Sequence, residues 1–199
     1  MKNEIIINTI NSLLSGYKKL ESKGIKRDIQ GVRYLLGQSI RQYNIPIENY
    51  HISKCAKDRW EELTNDSIDN YWYRKKVVCD KLQTKKRYKL YSGSRNNGKE
   101  TDINPGDSFI FRDMFHEEHI IPVSLIMDKM IKEIHGISKK KAIKDLLDRM
   151  HICVILKEED RMINQKSGKT ANRTDNFEDN VENVYKKQGI TLLSFRKYI

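Results

Sequence analysis

Apolar residues near the amino-terminal end of the chain recur every three or four positions. Ile6, Ile10, Leu13, Leu14, Tyr17 and Leu20 form one stripe and Gly24 follows it, so the spacing predicts a helix that stops there. A second stripe, Ile29, Val32, Leu35, Leu36, Ile40 and Tyr43, starts after Asp28 and ends before Pro46. A third helical region is predicted from Ala56 to Leu82 with a break near Asp66; its Trp60, Ile68, Tyr71, Trp72, Val77 and Val78 are read as core. The stretch KKRYKLYSGSRNNGKETDINPGD then turns basic and turn-rich, with Gly93, Gly98 and Asn104-Pro105-Gly106, and predicts a short strand and a connection.

From Ser108 onward the pattern changes to short apolar runs, SFIF, HIIPV and HICVIL, which read as strands. Between the last two lie SLIMDKMIKEI and KKKAIKDLLDRM, both at helical spacing, with a turn around Gly136. KEEDRMINQK is acidic at its start and basic at its end, the polarity a helix dipole favours. A polar helical stretch to about Lys187, a stop at Gly189 and an apolar run from Ile190 to Phe195 complete the chain. The expected fold class is α+β, mostly helical. The expected division is a helical region at 1–92 that binds DNA or dimerises, a connection at 93–107, and a second region at 108–199 with a helical insertion at 123–150.

Composition sharpens this picture in two ways. A hydrophobic fraction of 38% in 199 residues supports a real core, while 33% charged residues leave much wet surface. The formal charge of +11 points to a polyanionic partner, nucleic acid before an acidic membrane, although a solvated lysine surface explains charge alone nearly as well. The opening MKNEIIINTINSLLSG does not read as a secretory leader, no segment reads as a membrane span, and Cys55, Cys79 and Cys153 form no CxxC pair. The expectation is a cytoplasmic protein without disulfides.

Candidate chemistry sits at HEEHIIPVS, His116 to Ser124, where two histidines and two glutamates stand at the mouth of an apolar strand. Asp160 and Asn164 lie four apart, on one face of the helix after the HICVIL strand. Two carboxylates and an amide oxygen suit a hard divalent cation, and a histidine beside them suits a general base. Taken singly, each of these residues reads more readily as an ordinary surface group. His116 is open between a phosphate contact, an extra ligand and a solvated side chain. SGKT at Ser167 to Thr170 imitates the end of a phosphate-binding loop, but Ile163 stands where that loop needs glycine.

Glu118-His119-Ile120-Ile121-Pro122, followed by strand and helix, resembles the HNH nuclease family, whose fold is the ββα-metal motif. The resemblance covers Phe111 to Lys166, roughly a quarter of the chain. It implies that Glu118 is the first metal ligand, His119 the general base, and Asp160 and Asn164 the helix ligands, with Glu159 as the alternative to Asp160. It departs from the family where His151 replaces an asparagine before the second strand, in the long insertion between the strands, and in lacking zinc-binding cysteine pairs. The implied cofactor is one divalent ion, Mg²⁺ first and Mn²⁺ second, with no structural zinc.

The implied activity is hydrolysis of double-stranded DNA to 5′-phosphate and 3′-hydroxyl ends. The long helical first half and the ending VYKKQGITLL resemble small type II restriction endonucleases. This implies a homodimer on a palindromic site and a cognate methyltransferase as a genetic rather than physical partner. The alternatives are a less specific DNase, from a toxin or mobile element, and a non-catalytic DNA-binding regulator. For the DNA contacts, the basic run offers Lys85, Lys86, Arg87 and Lys89 with interleaved tyrosines, and Lys166 follows the helix ligands. Lys139, Lys140 and Lys141 are a second candidate.

Overall fold

The computed structural model describes residues 1–71, 74–92, 98–134, 139–164 and 183–194, apart from the side chain of Asn164. In chain order the elements are α1 (Lys2–Ser22), α2 (Lys26–Arg41), β1 (Tyr50–Ser53), α3 (Lys54–Leu63), β2 (Lys76–Val78), β3 (Lys86–Leu90), β4 (Lys99–Ile103), β5 (Ser108–Ile110) and β6 (Phe115–His119). They continue with α4 (Val123–Glu133), α5 (Lys139–Asp148), β7 (Ile152–Leu156), α6 (Lys157–Asn164), α7 (Asn183–Lys187) and β8 (Leu192–Ser194). The fold is α+β. No described helix is long and apolar enough to cross a membrane.

The division into compact units does not follow the expected boundaries at 92 and 108. One unit takes the described residues of 1–49 and 119–151, and the other those of 50–118, 152–164 and 183–194. The stretch expected as an insertion is therefore packed with the amino-terminal helices. The physical reason is apolar matching: α4 and α5 each carry one apolar stripe that needs a partner, and α2 and α1 supply it.

In the helical unit α1 buries Ile6, Ile7, Ile10, Leu14 and Tyr17. It closes in a Schellman motif: Gly24, at φ 68°, donates its N–H to Glu21 and Ile25 donates to Leu20. Helix α2 begins at Lys26, before Asp28 rather than after it, and buries Leu36 and Ile40 while Leu35 is 52% exposed. The ends of α2 and α5 are pinned by polar bonds. Tyr43 donates to Asp148 (2.5 Å), and Asn49 donates to the carbonyls of Asp148 and Met150.

The second unit is built on a four-stranded mixed sheet in the order β6-β7-β1-β8. Strand β7 lies parallel to β1 with Tyr50 opposite Ile152, and β1 lies antiparallel to β8. All five residues of β7 are buried, as an interior strand requires. Backbone bonds fix the direction of β6 against β7: Lys157, just past β7, donates to Met114, just before β6, and Ile120 donates to His151 at the opposite ends. The pair is antiparallel.

The helix expected from Ala56 to Leu82 is instead α3, a single 3₁₀ turn at Ile68–Asn70 and strand β2. Ser67 caps that turn by accepting from Asp69, and the β-branched Val77 and Val78 pair with Phe109 and Ser108 of β5. Trp60, Tyr71 and Val77 are core as expected while Val78 is 44% exposed, and Phe111 and Phe115 join the core, Phe111 being stacked on both Tyr71 (4.8 Å) and Phe115 (4.9 Å). The expected connection after residue 92 holds strand β4, which pairs with β3 over five residues as a hairpin.

Candidate metal centre

Strand β6 presents alternate residues to opposite faces, so His116 and Glu118 share one face while Glu117 and His119 belong to the other. Glu117 lies beside Tyr50 and Tyr71. Burial, with the carboxylate of Glu117 as a second cause, pushes the Tyr50 phenol up to about 12 and that of Tyr71 further. The antiparallel neighbour β7 runs straight into α6, which brings the first turn of that helix to the edge of β6. Asp160, four residues past Leu156, then faces His116 and Glu118.

The potential donor atoms of His116, Glu118 and Asp160 all lie within 4.8 Å of one another, and His116 Nε2 is 4.0 Å from Asp160 Oδ1. Glu118 is only 3% exposed. A buried carboxylate close to a second one is costly unless a positive charge stands between them. The thiol of Cys153 registers the negative potential: burial first, then the carboxylates of Glu118 and Glu159, push it well above its ordinary value. Imidazole and carboxylate groups bind first-row dications at about 2.0–2.2 Å, so two ligands of one ion stand roughly 3–4.4 Å apart. The three side chains fit such an ion after small rotations.

Glu159 has a different task. It is buried, accepts from the N–H of Leu156 (2.9 Å) and from the hydroxyl of Ser53 (2.5 Å), and so caps the start of α6. The same Ser53 oxygen accepts from Ala56 and caps α3. Glu159 thus ties two helix starts together, while Asp160, the next residue round the helix, is left for the cluster. The Glu159→Ala protein is expected to lose about 1–3 kcal/mol, the cost of two buried donors without an acceptor. Urea denaturation checks the loss, and metal affinity within a few-fold of the native value is expected beside it.

Among the expected ligands, Glu118 and Asp160 come together. The third donor of the cluster is His116, which alternation two residues before Glu118 could have selected. Helix α6 extends to Asn164, whose side chain lies outside the described residues, as does Lys166. His119 ends β6 and is peptide-linked to Glu118.

The basic run is less bare than its sequence implies. Lys85 and Arg87 both pair with Asp102 on the facing strand at 2.8 Å, Lys86 pairs with Glu62 of α3, and Lys75 with Asp66. Lys89 is half-buried. Comparison of the chain with protein-family models, curated proteins and solved structures gives no match.

Proposed function

We propose that the chain is a metal-dependent endonuclease that hydrolyses double-stranded DNA, with an HNH-type ββα-metal core formed by β6, β7 and α6. One observation carries this reading: an antiparallel strand pair followed at once by a helix gathers an imidazole and two carboxylates within 4.8 Å. His116, Glu118 and Asp160 would hold one divalent ion, which when bound supplies positive charge for the scissile phosphate and the leaving 3′ oxygen. His119, the last residue of β6, is the proposed general base for the attacking water, a task that needs its neutral form and needs the strand's end to turn its imidazole toward the ion. The products are 5′-phosphate and 3′-hydroxyl ends, and a small type II restriction endonuclease acting as a dimer is the specific form proposed.

The donor set bears on the choice of metal. With an imidazole in place of an all-oxygen site, transition-metal dications gain over magnesium. Cleavage is expected with both ions and at lower concentrations of Mn²⁺ than of Mg²⁺. The test is a titration of each ion into protein and long unmethylated duplex DNA, with EDTA as the control. Discrete fragments support a sequence-specific enzyme, and a smear supports a less specific DNase. Intact DNA under all conditions removes the enzyme and leaves a DNA-binding regulator.

The paired basic hairpin remains compatible with DNA. Exposed ion pairs are weak and screened by salt, so Lys85, Lys86 and Arg87 can exchange their carboxylates for phosphates.

A further inference from the structure

Helix α6 carries two cations on the side that bears Asp160, and the three-donor cluster alone does not account for them. Lys157, Asp160 and Arg161 are spaced three and four apart, so they share one face of the helix, turned from the buried Glu159 and Ile163. Both cations come to one aromatic ring. Lys157 Nζ lies 5.8 Å from the ring centre of Tyr91 and the Arg161 guanidinium carbon 5.7 Å from it, and Lys157 also donates to the Tyr91 carbonyl (3.3 Å). The ring itself is fixed. Tyr91 is 3% exposed, its N–H donates to the carbonyl of Asp113 (2.7 Å), and Gly98 packs so closely that a Cβ there would stand 2.7 Å from ring carbon Cε1.

Elsewhere in this unit basic side chains find carboxylates: Lys54 pairs with Asp58, Lys85 and Arg87 with Asp102, and Lys86 with Glu62. Lys157 and Arg161 form no ion pair among the described residues; their contacts are those with Tyr91. Arg161 forgoes Glu158, three residues back on the same helix, although that spacing suits an ion pair. Lys157 is half-buried, and that burial draws its ammonium below its ordinary value, against the opposing pull of Asp113 and Asp160. Two positive groups held against one ring repel each other, and a half-buried cation without a counter-ion is costly. An anion between them and Asp160's ion relieves both costs. A phosphate held at that ion has oxygens left over for donors on this side. Arg161 offers them a planar fork of N–H groups, and Lys157 a point charge.

We infer that Lys157 and Arg161 form a phosphate subsite beside the metal cluster, with Tyr91 as the positioning residue that holds both cations there. The assignment of that phosphate to the backbone of DNA rests on the nuclease reading; the subsite itself rests on the cluster and the two cations.

The first probe is inorganic phosphate. Its ³¹P relaxation is followed with protein in excess over Mn²⁺, since a phosphate beside the bound ion relaxes faster. Native chain should show this Mn²⁺-dependent relaxation. Phosphate affinity should be roughly tenfold weaker or more in Lys157→Gln and in Arg161→Gln, the worth of one charge-assisted bond. Glutamine keeps helix propensity, so the thermal midpoint should stay near the native value. Mn²⁺ alone should bind about two- to tenfold more tightly to both variants, because a like charge has gone. Arg161→Lys should recover part of the loss. Tyr91→Leu should weaken phosphate binding severalfold, and Tyr91→Phe, which keeps the ring, should restore it. The second probe is duplex DNA at saturating Mn²⁺, where single-turnover cleavage by Arg161→Gln should be about a hundredfold slower.

Absence of phosphate relaxation with the Mn²⁺-loaded native chain overturns the proposal, as does unchanged phosphate affinity in both glutamine variants. So does loss of Mn²⁺ binding in a glutamine variant that keeps the native thermal midpoint, which would make these residues supports of the ion instead. Phosphate binding with the expected losses, but intact DNA under all conditions, contradicts the nuclease reading and leaves the subsite standing for a free phosphate compound.

Discussion

The Glu118→Gln protein is expected to cleave duplex DNA about a thousandfold more slowly than the native chain while keeping its fold. Glutamine preserves the shape of a side chain that is 3% exposed and removes the charge that would hold the ion. Loss of metal-supplied charge stabilisation costs several kcal/mol in the transition state, and each 1.4 kcal/mol or so is tenfold in rate. Asp160→Asn should follow in the same direction. His119→Ala should lose about 10²–10⁴-fold in rate, the usual share of a general base, yet retain the metal. Cleavage rates measured under single-turnover conditions separate these cases. Equal activity of Glu118→Gln and the native chain would remove Glu118 from the proposed centre.

The largest expected effect on stability is that of Phe111→Ala. Phe111 is fully buried, stacked between Tyr71 and Phe115, with the ring of Trp60 tilted against it at 6.0 Å. It stands just after β5, and its N–H donates to the Lys75 carbonyl before β2, so its ring joins the β2–β5 pair to the sheet through Phe115. Truncation leaves a cavity among aromatic rings that cannot collapse into it, and about 3–5 kcal/mol should be lost. That is a large part of the total stability of a domain. The midpoint of chemical denaturation measures it, and a loss below about 1 kcal/mol would contradict the packing described.

What could be read from the sequence follows from how local each signal is. The stripes of α1 and the stop at Gly24 are carried by residues within one element, and both were legible. So was β7, whose apolar run is short and bounded; the strand expected over HIIPV is instead the preceding Phe115–His119, and Ile120 and Ile121 lead into α4 at Val123. Strand β1 was not legible: Tyr50–Ser53 has four residues and finds its partner, β7, about a hundred positions away. The stretch after Leu63 misled because Ile68, Tyr71, Val77 and Val78 keep helical spacing by chance, while the Ser67 cap and the paired valines decide for turn and strand. The pairing of Lys85, Lys86 and Arg87 was hidden for the same reason, since Glu62 lies on another element and Asp102 on the facing strand.

At the candidate site, Glu118 and Asp160 were legible from motif spacing, and Glu159 was separated from Asp160 only by its bonds to Leu156 and Ser53. His116 was legible in principle from strand alternation. Its place in the cluster nonetheless depends on α6 rising from the neighbouring strand, a long-range pairing that no local pattern states.

The central claim is that His116, Glu118 and Asp160 together hold one divalent ion. Titration of Mn²⁺ into the DNA-free protein, followed by calorimetry, tests it most directly. The account predicts one ion per chain, binding at least tenfold weaker in His116→Ala, Glu118→Gln and Asp160→Asn, and unchanged binding in His119→Ala. Absence of Mn²⁺ binding by the native chain, or binding that none of the three substitutions weakens, would contradict it.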